Sequence, residues 1–222
     1  MQLVSEPGLL GSMRIVRSAV IAAVVEIWAA GSGFSQSPTP GATPAWASPD
    51  KKWQYVEGDA AKLVNAATNE TAAELSCDAA PLWAPDSTRF AMTCAGGKGK
   101  WVAVFQLRNG KWETSDDALG NGDAIMDRAA KVIEAQAKKK GMAKGTFLHM
   151  NRWSVEAEKW IDARTLVVYA EMWEVAHRRD GSYADASYGT DLLLTLKFDD
   201  SGGWKIIKTH EMSEKEVKQR ED

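Results

Sequence analysis

Two cysteines, three histidines and a cluster of aspartates are the residues of this 222-residue chain whose types lend themselves to chemistry. His149, His177 and His210 stand apart, with no second histidine at ligand spacing and no cysteine partner, so no metal site is expected from them. The run Asp116 to Gly122, "DDALGNG", hints at a calcium loop. With Asp117 at its first position, however, Leu119 falls at the third and Arg128 at the twelfth, where oxygen ligands are required. No serine sits in a nucleophile elbow, and no phosphate-cradling glycine loop precedes a helix. Acidic residues distant in sequence can still meet in space as a hydrolytic pair, but the sequence does not single one out. No catalytic residue, metal ligand or cofactor is therefore assigned.

The cysteines read as a bridge. If the turn in "LWAPDSTRFAM", Leu82 to Met92, is centred between Pro85 and Asp86, opposed residues sum to 171, and Cys77 faces Cys94. Opposed Cα atoms in antiparallel strands lie within the range a disulfide tolerates. An oxidising compartment is the natural setting for such a bond. The N-terminus agrees: from Met13, two arginines, an apolar run and small residues follow in the order of a secretory signal peptide. The apolar part, Ser18 to Ala30, is shorter than a membrane-spanning helix needs and contains Glu26. Residues 1–35 are thus read as an export signal, with Met13 a second candidate start, and the protein is expected in the periplasm or secreted, without a stable membrane anchor.

Net charge is −3, and removal of residues 1–35 leaves it there, since Glu6 and Glu26 leave with Arg14 and Arg17. No polybasic stretch follows, which argues against a nucleic-acid partner. Lys138 to Lys140 read as the end of a helix.

Composition, at 45% hydrophobic and 26% charged, is that of a globular chain able to build a core. Ten tryptophans suggest that large rings carry much of it. Residues 36–52 hold the prolines of an extended linker, and a single β-rich domain is expected over 53–212. The alanine-rich stretch Gly58 to Ser76 suggests a short helix capped by Asp59. Asn69-Glu70-Thr71 matches a glycosylation acceptor, a pattern common by chance. A first β unit spans 72–115, with Asn109-Gly110 as a tight hairpin turn. The apolar spacing of Ile125, Ala129, Val132 and Ile133 predicts a helix over 122–140, capped by Asn121 or Asp123 and ended by Gly141. A second β unit spans 150–211. The charged residues 213–222 read as a frayed helix or tail.

Trp83 to Ala91, "WAPDSTRFA", resembles the W-S-P-D-G turn and strand of TolB-type bacterial β-propeller blades, and Trp160 to Tyr169 carries a degraded copy. The resemblance implies a turn that tightly connects two strands, with the tryptophan packed near the sheet end. Two units cannot close a propeller ring. The expected fold is mainly β with one prominent α-helix: two related antiparallel β-meanders, by internal duplication, packed as a sandwich or half-propeller-like pair, or joined in one continuous antiparallel sheet with the helix against it.

His177 to Gly189, "HRRDGSYADASYG", separates two strong strands and combines Arg178, Arg179, Tyr183 and Tyr188, residue types favoured in binding hot spots. It is either a recognition loop or a continuation of the strands with its tyrosines packed on the sheet. The functional expectation is a non-catalytic interaction module of the cell envelope with a protein or envelope partner, for example an inhibitor of a secreted enzyme. The alternative is a small extracytoplasmic hydrolase with acidic catalytic residues.

Overall fold

The structure, a computed structural model, describes residues 46–58, 60–97, 99–115, 119–120 and 124–221. The export signal, the linker up to residue 45, Asp59, Asp117 and the capping candidates Asn121 and Asp123 lie outside them. Order begins earlier than the linker reading expects. Ala47 bridges to Gln54, the Ser48 hydroxyl accepts the Trp53 N–H at 3.0 Å, and Trp46 packs edge-on against Tyr55.

Three short strands come first: β1 (Trp53–Val56), β2 (Lys62–Asn65) and β3 (Thr71–Glu74), forming an antiparallel sheet. The helix expected over Gly58 to Ser76 is therefore a hairpin. Its turn is built by Asn65, whose side-chain oxygen accepts the N–H groups of Ala67 and Thr68, and by Asn69 in the left-handed region at φ 59°. Burial of Leu63 against the aromatic core overrides the helix preference of the alanines.

Two meanders follow. The first is β4 (Leu82–Trp83), β5 (Arg89–Gly96), β6 (Gly99–Arg108) and β7 (Lys111–Thr114). The second is β8 (Thr146–Asp162), β9 (Thr165–Arg178), β10 (Tyr183–Phe198) and β11 (Trp204–Glu211). Helix α1 (Ala124–Lys139) lies between them in sequence. The fold is mainly β, as expected, and of the expected arrangements it is the single sheet that forms, the meanders meeting edge to edge through a parallel joint where an antiparallel one was expected. They form one eight-stranded sheet curled into a half-barrel, in the order β11-β10-β9-β8-β6-β5-β4, with β7 also paired to β6. The joint is parallel and two pairs long, Gly99 with Trp153 and Lys100 with Ser154.

The inner face of the curl holds α1. Ile125, Ala129, Ile133 and Ala137 pack on Val102 and Val104 of the first meander and on Leu166, Val168, Leu192 and Leu194 of the second. Each fully buried large aliphatic contributes about 1.5–3 kcal/mol. Gly141, at φ 74°, ends α1 as expected, with the Met142 N–H donating to the Ala137 carbonyl at 3.0 Å. On the outer face of the first meander, Phe90, Met92, Phe105 and Trp112 pack against Tyr55 and Leu63, so this meander and the three-stranded sheet form a small sandwich. Alternation in "WVAVFQL" thus buries both faces of β6, as its pattern implies. Buried Arg89 ties β5 to two turns of the second meander, donating to the carbonyls of Ala163 at 2.8 Å and Asp199 at 3.1 Å.

Cys77 and Cys94 are bonded, with Cα atoms 5.6 Å apart. The register differs from the one expected. Leu82 pairs with Ala91 and Trp83 with Phe90, so the turn is centred between Asp86 and Ser87, and Ser87 takes φ 61°. Strand pairing stops at Leu82, and Cys77 reaches its partner from a bend beyond Pro81.

The C-terminal segment is helix α2 (Glu214–Glu221), docked across the outer face of the second meander. Ser213 and Glu216 form a reciprocal cap: the Ser213 N–H donates to the Glu216 carboxylate at 2.7 Å, and the Glu216 N–H to the Ser213 hydroxyl at 3.4 Å. The Arg220 guanidinium lies 3.7 Å from the centre of the Tyr169 ring and donates to Glu158 at 2.8 Å and Glu156 at 2.9 Å.

Three outcomes test this architecture. An ideal Cβ at Gly99 would lie 2.2 Å from the Trp153 carbonyl oxygen. Gly99→Ala is expected to loosen the joint between meanders and lower unfolding free energy by about 2 kcal/mol, read from the urea midpoint. Replacing both Cys77 and Cys94 by serine, across a sequence separation of 17, is expected to cost about 3 kcal/mol in the same assay. Hydrogen bonds from the Ser213 N–H and hydroxyl, together with His210, hold the Glu216 carboxyl down at about 2 instead of 4.5. A depressed folded value supports α2 above pH 4.5 and loses that support as pH falls toward 2. Amide protection in α2 should decline across that window, and Glu216→Gln should abolish this dependence.

Candidate functional site

Strands β8, β9 and β10 are the longest in the protein, and their length places the site. Because β6 meets β8 at Trp153 and Ser154, the residues from Thr146 to Arg152 run past the first meander. At strand rise, this overhang is roughly 20 Å. Its end is closed by the turn from Arg179 to Ser182, with the Gly181 N–H donating to the Arg178 carbonyl at 2.9 Å and the Ser182 N–H to the Asp180 carboxylate at 2.9 Å. The segment His177 to Gly189 is therefore not a long loop. β9 continues to Arg178 and β10 begins at Tyr183, directly opposite His177.

The four residues singled out there separate. Arg178, Arg179 and Tyr183 are exposed, Tyr183 at 68%. The Arg178 guanidinium donates to the Tyr183 carbonyl at 3.1 Å and so helps to hold the turn. Tyr188 is buried on the inner face at 5% exposure, with the Lys140 ammonium 5.6 Å from its ring centre. Strand alternation places Tyr183 and Ser187 on the outer face, so Tyr188 must point inward. It belongs to the core beside α1 and not to an interaction surface.

The outer face of the tip carries a row of rings. Phe147, His177 and Tyr183 lie side by side across β8, β9 and β10, with centroid separations of 5.7 Å and 4.5 Å, and His149 meets His177 edge-on at 5.5 Å. Further along β9, Trp173 is half exposed and covers Gly189, where a Cβ would lie 2.8 Å from the ring. The indole N–H of Trp173 donates to Glu171 at 3.1 Å, and Arg152 pairs with the same carboxylate. Phe147 is 49% exposed, and Met150, on the inner side of the same strand end, 44%. Phe147 and His149 fall outside the second unit expected from the sequence, which starts at 150 with Met150, whereas β8 begins at Thr146. The alternation of Phe147 and His149 with their neighbours is the signal that would have extended it.

Hollows lie at the inner side of this strand end and elsewhere, one of them of about 560 Å³ and lined by Gln136, Lys140, Asp191, Glu211, Glu214 and Lys218. A cleft of about 680 Å³ runs between β6–β7 and the β10–β11 turn, lined by Phe198, Trp204 and Ile206 on one wall and by Arg108 and Glu113 on the other. Arg108 is engaged there by the Gln106 side chain at 3.3 Å. A recess of about 260 Å³ is lined by Glu134, Lys138, Met142, Leu148 and Glu174. Burial, reinforced by Glu134, raises the Glu174 carboxyl above the usual range. Here carboxylates distant in sequence meet beside a hollow, but the recess is below the size of ordinary small-molecule sites. Among the described residues, no group of three or more histidine, cysteine or acidic side chains is placed to hold a metal ion. His210 instead pairs with Glu216 at 2.9 Å.

Among the described residues, no helix is long and apolar enough to cross a membrane. No protein-family model matches the chain, and no curated protein is similar to it.

Proposed function

We propose that the protein is an exported, non-catalytic binding module of the cell envelope, and that it makes its contact through the tip of β8, β9 and β10. The observation that carries this reading is the overhanging strand end itself, which presents Phe147, Tyr183, Arg178 and Arg179 to solvent on a backbone held by long antiparallel ladders. Aromatic side chains and arginine bring large contact area and directional hydrogen bonds, and a rigid strand end presents them without the entropy cost of ordering a loop. Export is supported by the signal-like N-terminal segment and by the disulfide between Cys77 and Cys94.

The hydrolase reading has in its favour the raised Glu174 carboxyl beside Glu134 and the hollow of about 560 Å³ lined by Asp191, Glu211 and Glu214. Against it stand the small volume of the recess beside Glu174 and, in the larger hollow, the engagement of Asp191 by the Tyr169 hydroxyl and of Glu211 by the Gln136 amide.

The expected outcome is retention. In fractionated cells, the chain should stay with the envelope fraction under a mild wash, while a double variant, Phe147→Ser with Tyr183→Ser, should be released at least tenfold more readily with its urea midpoint unchanged. Equal retention of the two forms would remove the tip as the contact.

A further inference from the structure

The sequence contains no polybasic stretch, yet the fold assembles a basic end. Lys138, Lys139 and Lys140 occupy the last turn of α1 and the residue after it, on the inner side of the strand overhang. The chain then returns through Lys144 to Thr146, which pairs with Arg178. Gly145 lies against Arg179, 3.9 Å from an ideal Cβ to its Nε. Six cations from three separate stretches thus converge on one end, all six exposed and none in an ion pair among the described residues. The carbonyl end of α1 carries about half a negative charge, far less than three lysines supply. Of the acidic groups nearby, Asp180 is engaged by the Ser182 N–H and hydroxyl and feels the charge of Arg178, Glu134 and Glu174 face the recess beside Lys138, and Asp191, Glu211 and Glu214 line a hollow with Lys140.

Apolar side chains flank these cations on both faces: Phe147 and Tyr183 outside, at 49% and 68% exposure, and Met150 inside at 44%. A collar of cations around protruding aromatic and thioether groups is the arrangement that meets a bilayer surface, where phosphates accept charge and rings settle at headgroup depth. An acidic protein partner would satisfy the cations equally. It would not account for apolar groups projecting from both faces of one strand end, which suit a soft interface better than a shaped pocket.

We infer that the tip formed by α1's C-terminus and the β8–β10 strand end docks peripherally on an anionic lipid surface, the six cations taking the headgroup phosphates and Phe147, Tyr183 and Met150 entering the interface. This names the partner of the surface in the proposed function and rests on that reading. The attachment is reversible and salt-dependent, because single cations near a charged surface are screened within a Debye length.

The test uses the full chain and a four-site variant, Lys139→Ser, Lys144→Ser, Arg178→Ser and Arg179→Ser, co-sedimented with vesicles of phosphatidylcholine alone or mixed equally with phosphatidylglycerol. Both forms carry the same N-terminal segment, so its contribution cancels in the comparison. The unaltered chain is expected to partition at least tenfold more strongly than the variant onto the anionic vesicles, with the difference vanishing on phosphatidylcholine and at high salt. Equal partitioning of the two forms onto anionic vesicles would overturn the inference. A photo-crosslinker placed at Tyr183 in cells separates the two levels of the argument. Crosslinks to lipid support the inference, and crosslinks confined to protein overturn it while leaving the tip as the contact surface. Absence of crosslinks to either would overturn both readings.

Discussion

Two residue pairs hold the two halves of this protein in one sheet. Gly99 lies beside Trp153 and Lys100 beside Ser154, and only a residue without a Cβ lets the β8 backbone approach so closely at the first pair. Parallel contacts this short contribute little by themselves. Their consequence is geometric: once β8 is set against β6, the inner faces of both meanders become continuous, and α1 can bury one apolar stripe against both at once. Buried Arg89 reinforces the same joint from the opposite end by binding the carbonyls of Ala163 and Asp199. The guanidinium so placed spans from β5 to both turns, and burial lowers its own affinity for a proton.

The joint also decides what remains free. It meets β8 well inside that strand's length, so the first meander covers the outer strands at one end only, and the other end of β8, β9 and β10 projects. Core packing accounts for the tryptophans at the end of the first meander away from the joint: Trp112 meets Trp53 and Trp83 edge-on, and Phe90 packs tilted against Trp83 and Trp112. At the projecting end, the rings lie in a solvent-facing row instead. Between these regions α2 shields the middle of the outer face, where Arg220 covers Tyr169 and is bound by Glu156 and Glu158. Burial alone would raise the Glu156 carboxyl, but hydrogen bonds from Lys100 and Arg220 overcome this and keep it below the usual range. Lys100 belongs to the joint itself, so the docking of α2 and the union of the meanders share a carboxylate.

Several features were legible residue by residue. The Asn109-Gly110 turn has both residues at positive φ, as a two-residue hairpin demands. Gly141 ends α1 in a left-handed conformation, and the two cysteines pair. Elsewhere, reading failed for identifiable reasons. The alanines of 60–73 favour a helix in isolation, but burial of Leu63 and the turn chemistry of Asn65 impose a hairpin. The charged C-terminal segment reads as frayed, although Ser213 and Glu216 stand at the spacing of a capping box; the missing element was the docking of Arg220 on groups more than fifty residues away. Tyr188 and Tyr183 look equivalent in sequence, and only strand parity across an irregular register sends one inward and the other out.

Local chemistry in the sequence alone determined the Asn109-Gly110 turn, the helix and its end, and the two-faced burial of β6, because each depends on a few neighbouring side chains and on alternation along one element. The tertiary structure alone decided that the meanders join edge to edge, that the strand end overhangs, and that Lys138 to Lys140, Lys144, Arg178 and Arg179 share one end of the molecule. Those outcomes depend on where one strand abuts another, a non-local choice set by the space beside Gly99 and by the depth of the core around α1. No periodicity along the chain encodes it.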